Sequence, residues 1–248
     1  MKTRTLFAAA LFALISTGLK AQTNLQTFYD FGKDRHHFTT TLEGFYNDNW
    51  GNTFFFIDYD FNGDNSPSGG KYLASGSYME IARCLNFWQD SNLAPLSLHV
   101  EYNGGIGFPS QNFLFGVDYF LHSSDFNNTF NFKLLYKTFS KGTSSNVPLQ
   151  FTFVWGMQDI FGVEGLRFSG FVDVWGENVA AFAESPTSSN FLKESKTVFL
   201  SEPQLWYNLG KHFGCDNFHI GTEVELSCNF AGYYGFYARP CLGTKWIF

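Results

Sequence analysis

Along the last stretch of the chain, Asn217 to Phe248, apolar and polar residues take turns one by one. Phe218, Ile220, Thr222, Val224 and Leu226 alternate with His219, Gly221, Glu223, Glu225 and Ser227. After a Gly-rich corner, Ala238, Pro240, Leu242, Thr244, Trp246 and Phe248 alternate with Arg239, Cys241, Gly243, Lys245 and Ile247. A period of two predicts strands with one apolar and one polar face. Here the two polar faces carry opposite charges. A hairpin that stops flush on an aromatic predicts the closing strand of a β-barrel, so the remaining segments are read as staves of the same cylinder.

They support that reading. Strands are predicted at Asn24 to Phe31, Phe38 to Tyr46, Thr53 to Phe61, about Tyr72 to Cys84, Leu96 to Asn103 and Phe113 to His122. Others follow at Phe130 to Lys137, Leu149 to Met157, Arg167 to Trp175 and Thr197 to Tyr207. Turn compositions separate them, among them Asn47 to Asn52, Asn62 to Lys71 and Glu177 to Ser195, the last being the longest irregular stretch. With the closing hairpin the count is twelve, the even number a bacterial barrel requires when both termini lie in the periplasm. The predicted fold class is all-β: a twelve-stranded antiparallel transmembrane β-barrel of outer-membrane type.

The start of the chain changes the picture once. Lys2 and Arg4 precede the apolar run Leu6 to Ile15, and Ala21 precedes Gln22. This order predicts a signal peptide over residues 1–21, leaving 22–248 as a single barrel domain. The apolar run is too short to span a bilayer as a helix.

Composition sharpens the class. Aromatics make up 20% of the chain, with 32 Phe, yet mean hydropathy is only −0.13. An apolar outer band with aromatic girdles around a polar lumen produces both values. The net charge of −6 argues against nucleic acid as a partner. Cys84, Cys215, Cys228 and Cys241 either form two disulfides or remain isolated thiols. Their spacing does not point to zinc, and no metal or other cofactor is expected.

The inner face carries the candidate chemistry. Alternation places Glu43, Asp58, Asp60, Glu80, Glu101, Asp118, Asp173, Glu202, Glu223 and Glu225 in the lumen, against Lys133, Lys137, Arg167, Arg239 and Lys245. Phe54, Phe56, Phe120, Phe171 and Trp175 share that face. Such charges either pair to plug a narrow barrel or line a weakly selective pore. In a pore, carboxylates would accept hydrogen bonds from hydroxyls and rings would stack on a planar solute.

Three segments carry a resemblance: Glu43 to Tyr59 (EGFYNDNWGNTFFFIDY), Ser77 to Arg83 (SYMEIAR) and Phe168 to Asn178 (FSGFVDVWGEN). Together they resemble the Tsx family of nucleoside-specific outer-membrane channels, most closely over the first four strands and the ninth. Ala82 stands where that family's pattern has a second acidic residue. The resemblance implies a monomeric barrel passing nucleosides, with Glu43, Glu80 and Asp173 in the lumen and Phe54 and Phe56 as stacking residues. Residue types and resemblance together make Glu43, Phe54, Phe56, Asp58, Glu80, Phe171, Asp173, Trp175, Glu223 and Arg239 the candidate solute-binding set.

The expected partners are the lipid of a Gram-negative outer membrane, a small nucleoside-like solute and the barrel assembly machinery, whose signal a terminal Phe248 resembles. Two rival readings come from other classes. A plugged structural or adhesive barrel needs no open path. A phospholipase-type enzyme would use His122 and Ser124, but alternation turns His122 to the lumen beside a periplasmic turn, away from outer-leaflet lipid, and no convincing Asn or Asp orients it. His36 and His37 could bind metal, but neighbouring residues on a strand point opposite ways, so a solvated loop is the simpler reading. No enzyme activity is expected.

Overall fold

The computed structural model describes residues 21–33, 35–63, 73–106, 111–140, 144–182 and 192–248. The expected signal peptide lies outside them except for Ala21, and so does most of the loop expected at Asn62 to Lys71. The strands are β1 (Ala21–Asp30), β2 (Phe38–Asp48), β3 (Gly51–Phe61), β4 (Ala74–Leu85), β5 (Leu96–Ile106), β6 (Asn112–His122) and β7 (Asn128–Lys137). They continue as β8 (Leu149–Gln158), β9 (Leu166–Phe182), β10 (Leu192–Ser201), β11 (Gln204–Tyr207), β12 (Phe218–Cys228) and β13 (Phe236–Ile247).

These strands form one antiparallel sheet that closes on itself, because β13 pairs with β12 on one side and with β1 on the other. β10 and β11 both lie between β9 and β12, so thirteen strands make twelve staves. Closure leaves no unpaired edge, the condition for a β-structure in hydrocarbon. The protein is a twelve-stranded outer-membrane-type β-barrel.

The break in the tenth stave has a local cause. Pro203 has no N–H to give to a ladder, and the backbone kinks at Glu202 and Pro203. The ladder recovers around the kink: the Glu202 N–H donates to the Phe171 carbonyl at 3.2 Å and the Val224 N–H to the Pro203 carbonyl at 3.1 Å. Gly170 on β9 makes room, since a Cβ there would lie 2.5 Å from the Glu202 carbonyl oxygen.

Side chains alternate as the sequence predicts. On β13, Phe236, Leu242 and Trp246 are 65%, 62% and 41% exposed, while Arg239, Cys241 and Lys245 are 1%, 8% and 8% exposed. The outward set across the barrel is apolar and exposed, including Leu98, Val100, Phe113, Phe115, Leu134 and Phe151. That is the surface lipid covers.

Two expectations change. The segment expected to be irregular, Glu177 to Ser195, is strand at both ends: β9 runs on to Phe182 and β10 starts at Leu192, with Val179 opposite Ser195 and Ala180 opposite Glu194; residues 183–191 lie outside the described residues. At those two ends ladder pairing overrides the loop-like composition, because a polar strand can satisfy its backbone in a ladder while water takes its side chains. The open question about the cysteines is also answered: all four are free. Cys84 and Cys241 face the lumen from β4 and β13, Cys215 follows β11, and Cys228 ends β12.

Candidate functional site

The lumen is built by register. Glu43 on β2 lies opposite Phe56 on β3, which lies opposite Glu80 on β4, so a phenyl ring sits in the ladder between two carboxylates. Asp58 lies between Thr41 and Tyr78 in the same way. Phe54, Phe56 and Tyr78 form a run of tilted rings with centroids 6.1 and 5.9 Å apart. Tyr78 was not among the candidates, because the first half of β4 has no clear alternation; counting back two residues from Glu80 places it inward.

The carboxylates are held by neutral donors. Asn24 Nδ2 donates to Glu43 at 2.8 Å, and the Thr41 hydroxyl to Asp58 at 2.5 Å. Glu80 accepts from the Tyr78 hydroxyl at 2.7 Å and from Asn103 Nδ2 at 3.1 Å. Asp173 accepts from the Thr152 hydroxyl, and Glu223 from Gln204 Nε2 at 2.6 Å. Trp175 donates its indole N–H to Glu177 at 2.6 Å, with Lys137 Nζ 4.0 Å from its ring centroid. Phe171 lies opposite Val154 on the inner face, between Ser169 and Asp173 along β9.

Arg239 belongs to a different arrangement. Its guanidinium bonds Glu225 at 2.6 Å and the Ser227 hydroxyl at 3.1 Å, with the Tyr233 and Tyr237 rings 4.7 and 4.8 Å away. Arg35, from the connection between β1 and β2, completes the cluster by reaching Glu225 at 2.5 Å and Asp30 at 3.1 Å. Burial works to lower the Arg35 pKa, but attraction to Glu225 and Asp30 outweighs it and holds the group above its ordinary value. This end of the lumen is thus lined by a paired network.

Elsewhere three charges have no direct partner. The charged ends of Lys133, Arg167 and Glu202 make no hydrogen bond or ion pair with any described residue, and none of their polar atoms is sealed from solvent. The lumen is also narrow. Glu80 on β4 is within electrostatic reach of Asp173 on β9, and Glu202, at the kink between β10 and β11, is within reach of Asp58 on β3, each pair five staves apart.

All ten candidate residues therefore share the inner face. The register brings together Glu43, Phe54, Phe56, Asp58 and Glu80 as one patch and Phe171, Asp173 and Trp175 as a second. Glu223 and Arg239 lie on the closing strands, and Arg239 is engaged by its own network. His122 and Ser124 do not assemble a catalytic pair: His122 Nδ1 contacts the Ser123 carbonyl at 2.8 Å and the ring stacks 3.9 Å from Phe126. Of the adjacent histidines, His36 is exposed and His37 turns to Asp60 at 3.8 Å.

Solved structures of similar shape include a KdgM porin in complex with disordered oligogalacturonate, at 9% identity and TM-score 0.49, covering 92% of this chain and 99% of that one. Omp33 of Acinetobacter baumannii is similar at 12% identity and TM-score 0.41, covering 92% and 97%. OpdK of Pseudomonas aeruginosa follows at 8% and 0.40, covering 93% and 99%. No curated protein matches the chain. Residues 21–248 match the DUF5020 family, described as a domain of unknown function, and the chain belongs to that family.

Proposed function

We propose that this barrel is a narrow, porin-like channel for small polar solutes in the outer membrane of a Gram-negative bacterium, working as a monomer, and that nucleosides are the solutes it fits best. The observation that carries the channel is the presence of two lumen charges with no direct partner, Arg167 and Glu202. In a dry plug each would cost several kcal/mol, on the order of the penalty for an uncompensated buried ion. In a hydrated passage they cost little.

The choice of solute rests on ring and carboxylate sharing one patch. Phe56 between Glu43 and Glu80 offers a stacking surface beside acceptors for sugar hydroxyls. Stacking contributes about 1–3 kcal/mol per base, which with a few hydrogen bonds gives sites of about millimolar strength. Conduction needs binding no tighter than that. The Tsx-like segments, which include Phe56 and Glu80, favour the same solute.

Single-channel conductance of the refolded protein in a planar bilayer tests both levels. Nucleosides should block current in a concentration-dependent way while sugars do not. Conductance blocked equally by sugars would reject the nucleoside reading and keep the channel; a folded barrel with no conductance would reject the channel. The plugged barrel is the second reading, favoured by the buried pairing of Arg239 with Glu225.

A further inference from the structure

Cys84, His99 and Asp118 lie next to one another on β4, β5 and β6, facing the lumen near the end that carries the chain termini. All three are buried, at 3%, 1% and 3% exposure. Cys84 Sγ is 3.4 Å from His99 Nδ1 and 3.4 Å from Asp118 Oδ2, and all three candidate ligand atoms lie within 4.8 Å of one another. Adjacent staves bring them together: Cys84 is opposite His99, and Asp118 is two residues on from Gly116, the partner of His99.

These spacings match a metal site. Zn–S of about 2.3 Å and Zn–N or Zn–O of about 2.0 Å at a tetrahedral angle put the ligand atoms roughly 3.5 Å apart. The surrounding groups are also those that orient ligands. Glu101 bonds His99 Nε2 at 2.8 Å, leaving Nδ1 turned to the sulfur, the carboxylate and histidine pairing usual behind a metal. Asn131 Nδ2 bonds both oxygens of Asp118 at 2.9 Å.

We propose that Cys84, His99 and Asp118 form a binding site for a late first-row divalent cation, Zn²⁺ in the first instance, with the fourth position left to water. On binding, the Cys84 S–H bond breaks, an S–Zn bond forms and the proton passes to solvent. Thiolate and carboxylate together neutralise the dication. That balance matters because Lys133, opposite Asp118 on β7, also faces the site; Glu101, within electrostatic reach, remains its counter-charge. A sulfur and an imidazole ligand select such ions over Mg²⁺ or Ca²⁺.

The test is titration of the refolded, chelator-stripped full-length protein in detergent with Co²⁺ and then Zn²⁺. The expected result is a sulfur-to-cobalt charge-transfer band in the near ultraviolet, bleached by one equivalent of Zn²⁺. Cys84→Ser should abolish the band, Cys241→Ser should keep it, and Glu101→Gln should weaken affinity about 10–100-fold. The gel-mobility difference between heated and unheated samples verifies folding of each variant. If Cys84→Ser does not fold, His99→Gln takes its place, with loss of the band expected. A folded wild type with no band at excess Co²⁺ overturns the proposal, as does a band that survives in Cys84→Ser or in His99→Gln. Neither readout depends on conductance, so the site stands or falls apart from the channel.

Discussion

Lys245 holds its ammonium 4.0 Å from the ring centroid of Trp206, reaching from β13 across β12 to β11. Gly221 on the intervening strand permits the contact, since a Cβ there would lie 2.4 Å from the indole. Trp206 is 1% exposed and packs 5.5 Å from Phe28. A large ring thus lies along the lumen wall instead of standing across the passage.

Gly221→Val should therefore lower stability by about 1–3 kcal/mol, the usual cost of overpacking. Lys245→Met, which removes the charge but keeps most of the stem, should cost about 0.5–2 kcal/mol. Urea unfolding of the micelle-bound barrel followed by tryptophan fluorescence reads both. A neutral Gly221→Val would show that the indole can leave the wall freely.

Glu225 accepts from Arg239 and Arg35 together. Glu225→Ala leaves a guanidinium that is only 1% exposed without its carboxylate, and loss of one partner of a buried pair costs about 3–5 kcal/mol. The denaturant midpoint should fall accordingly. A change within the noise of a surface substitution, about 0.5 kcal/mol, would mean that the network is fully hydrated.

Lumen charges that make no direct ion pair should set ion preference. Lys133→Ala removes a cation from the passage and should raise cation selectivity, whereas Glu202→Gln should lower it. Reversal potentials across a bilayer under a salt gradient measure both signs. Shifts in the same direction, or none in a conducting protein, would place these residues off the ion path.

Because the four cysteines are free, no cross-link restricts the unfolded chain. The urea midpoint should be the same with and without a thiol reductant. A midpoint that falls on reduction would reveal a disulfide, worth about 2–4 kcal/mol.

Much of this was legible in the chain. A strand's side-chain period is two, so once Glu223, Glu225, Arg239 and Lys245 are turned inward, the inward sets of the other strands follow from closure. The ten candidate residues face the lumen for that reason alone. Composition read less well where backbone pairing outweighs it, as at 177–182 and 192–195, the ends of β9 and β10 that composition groups with a loop.

By itself, then, the sequence determined the stave count, the closing hairpin and which residues face inward, because these depend on local alternation. Tertiary structure alone decided which inward residues meet. The pairing of Arg239 with Glu225 and Arg35, the indole laid over Gly221, and the convergence of Cys84, His99 and Asp118 depend on stagger between neighbouring staves. That stagger is set by ladder hydrogen bonds, which no spacing along one strand encodes.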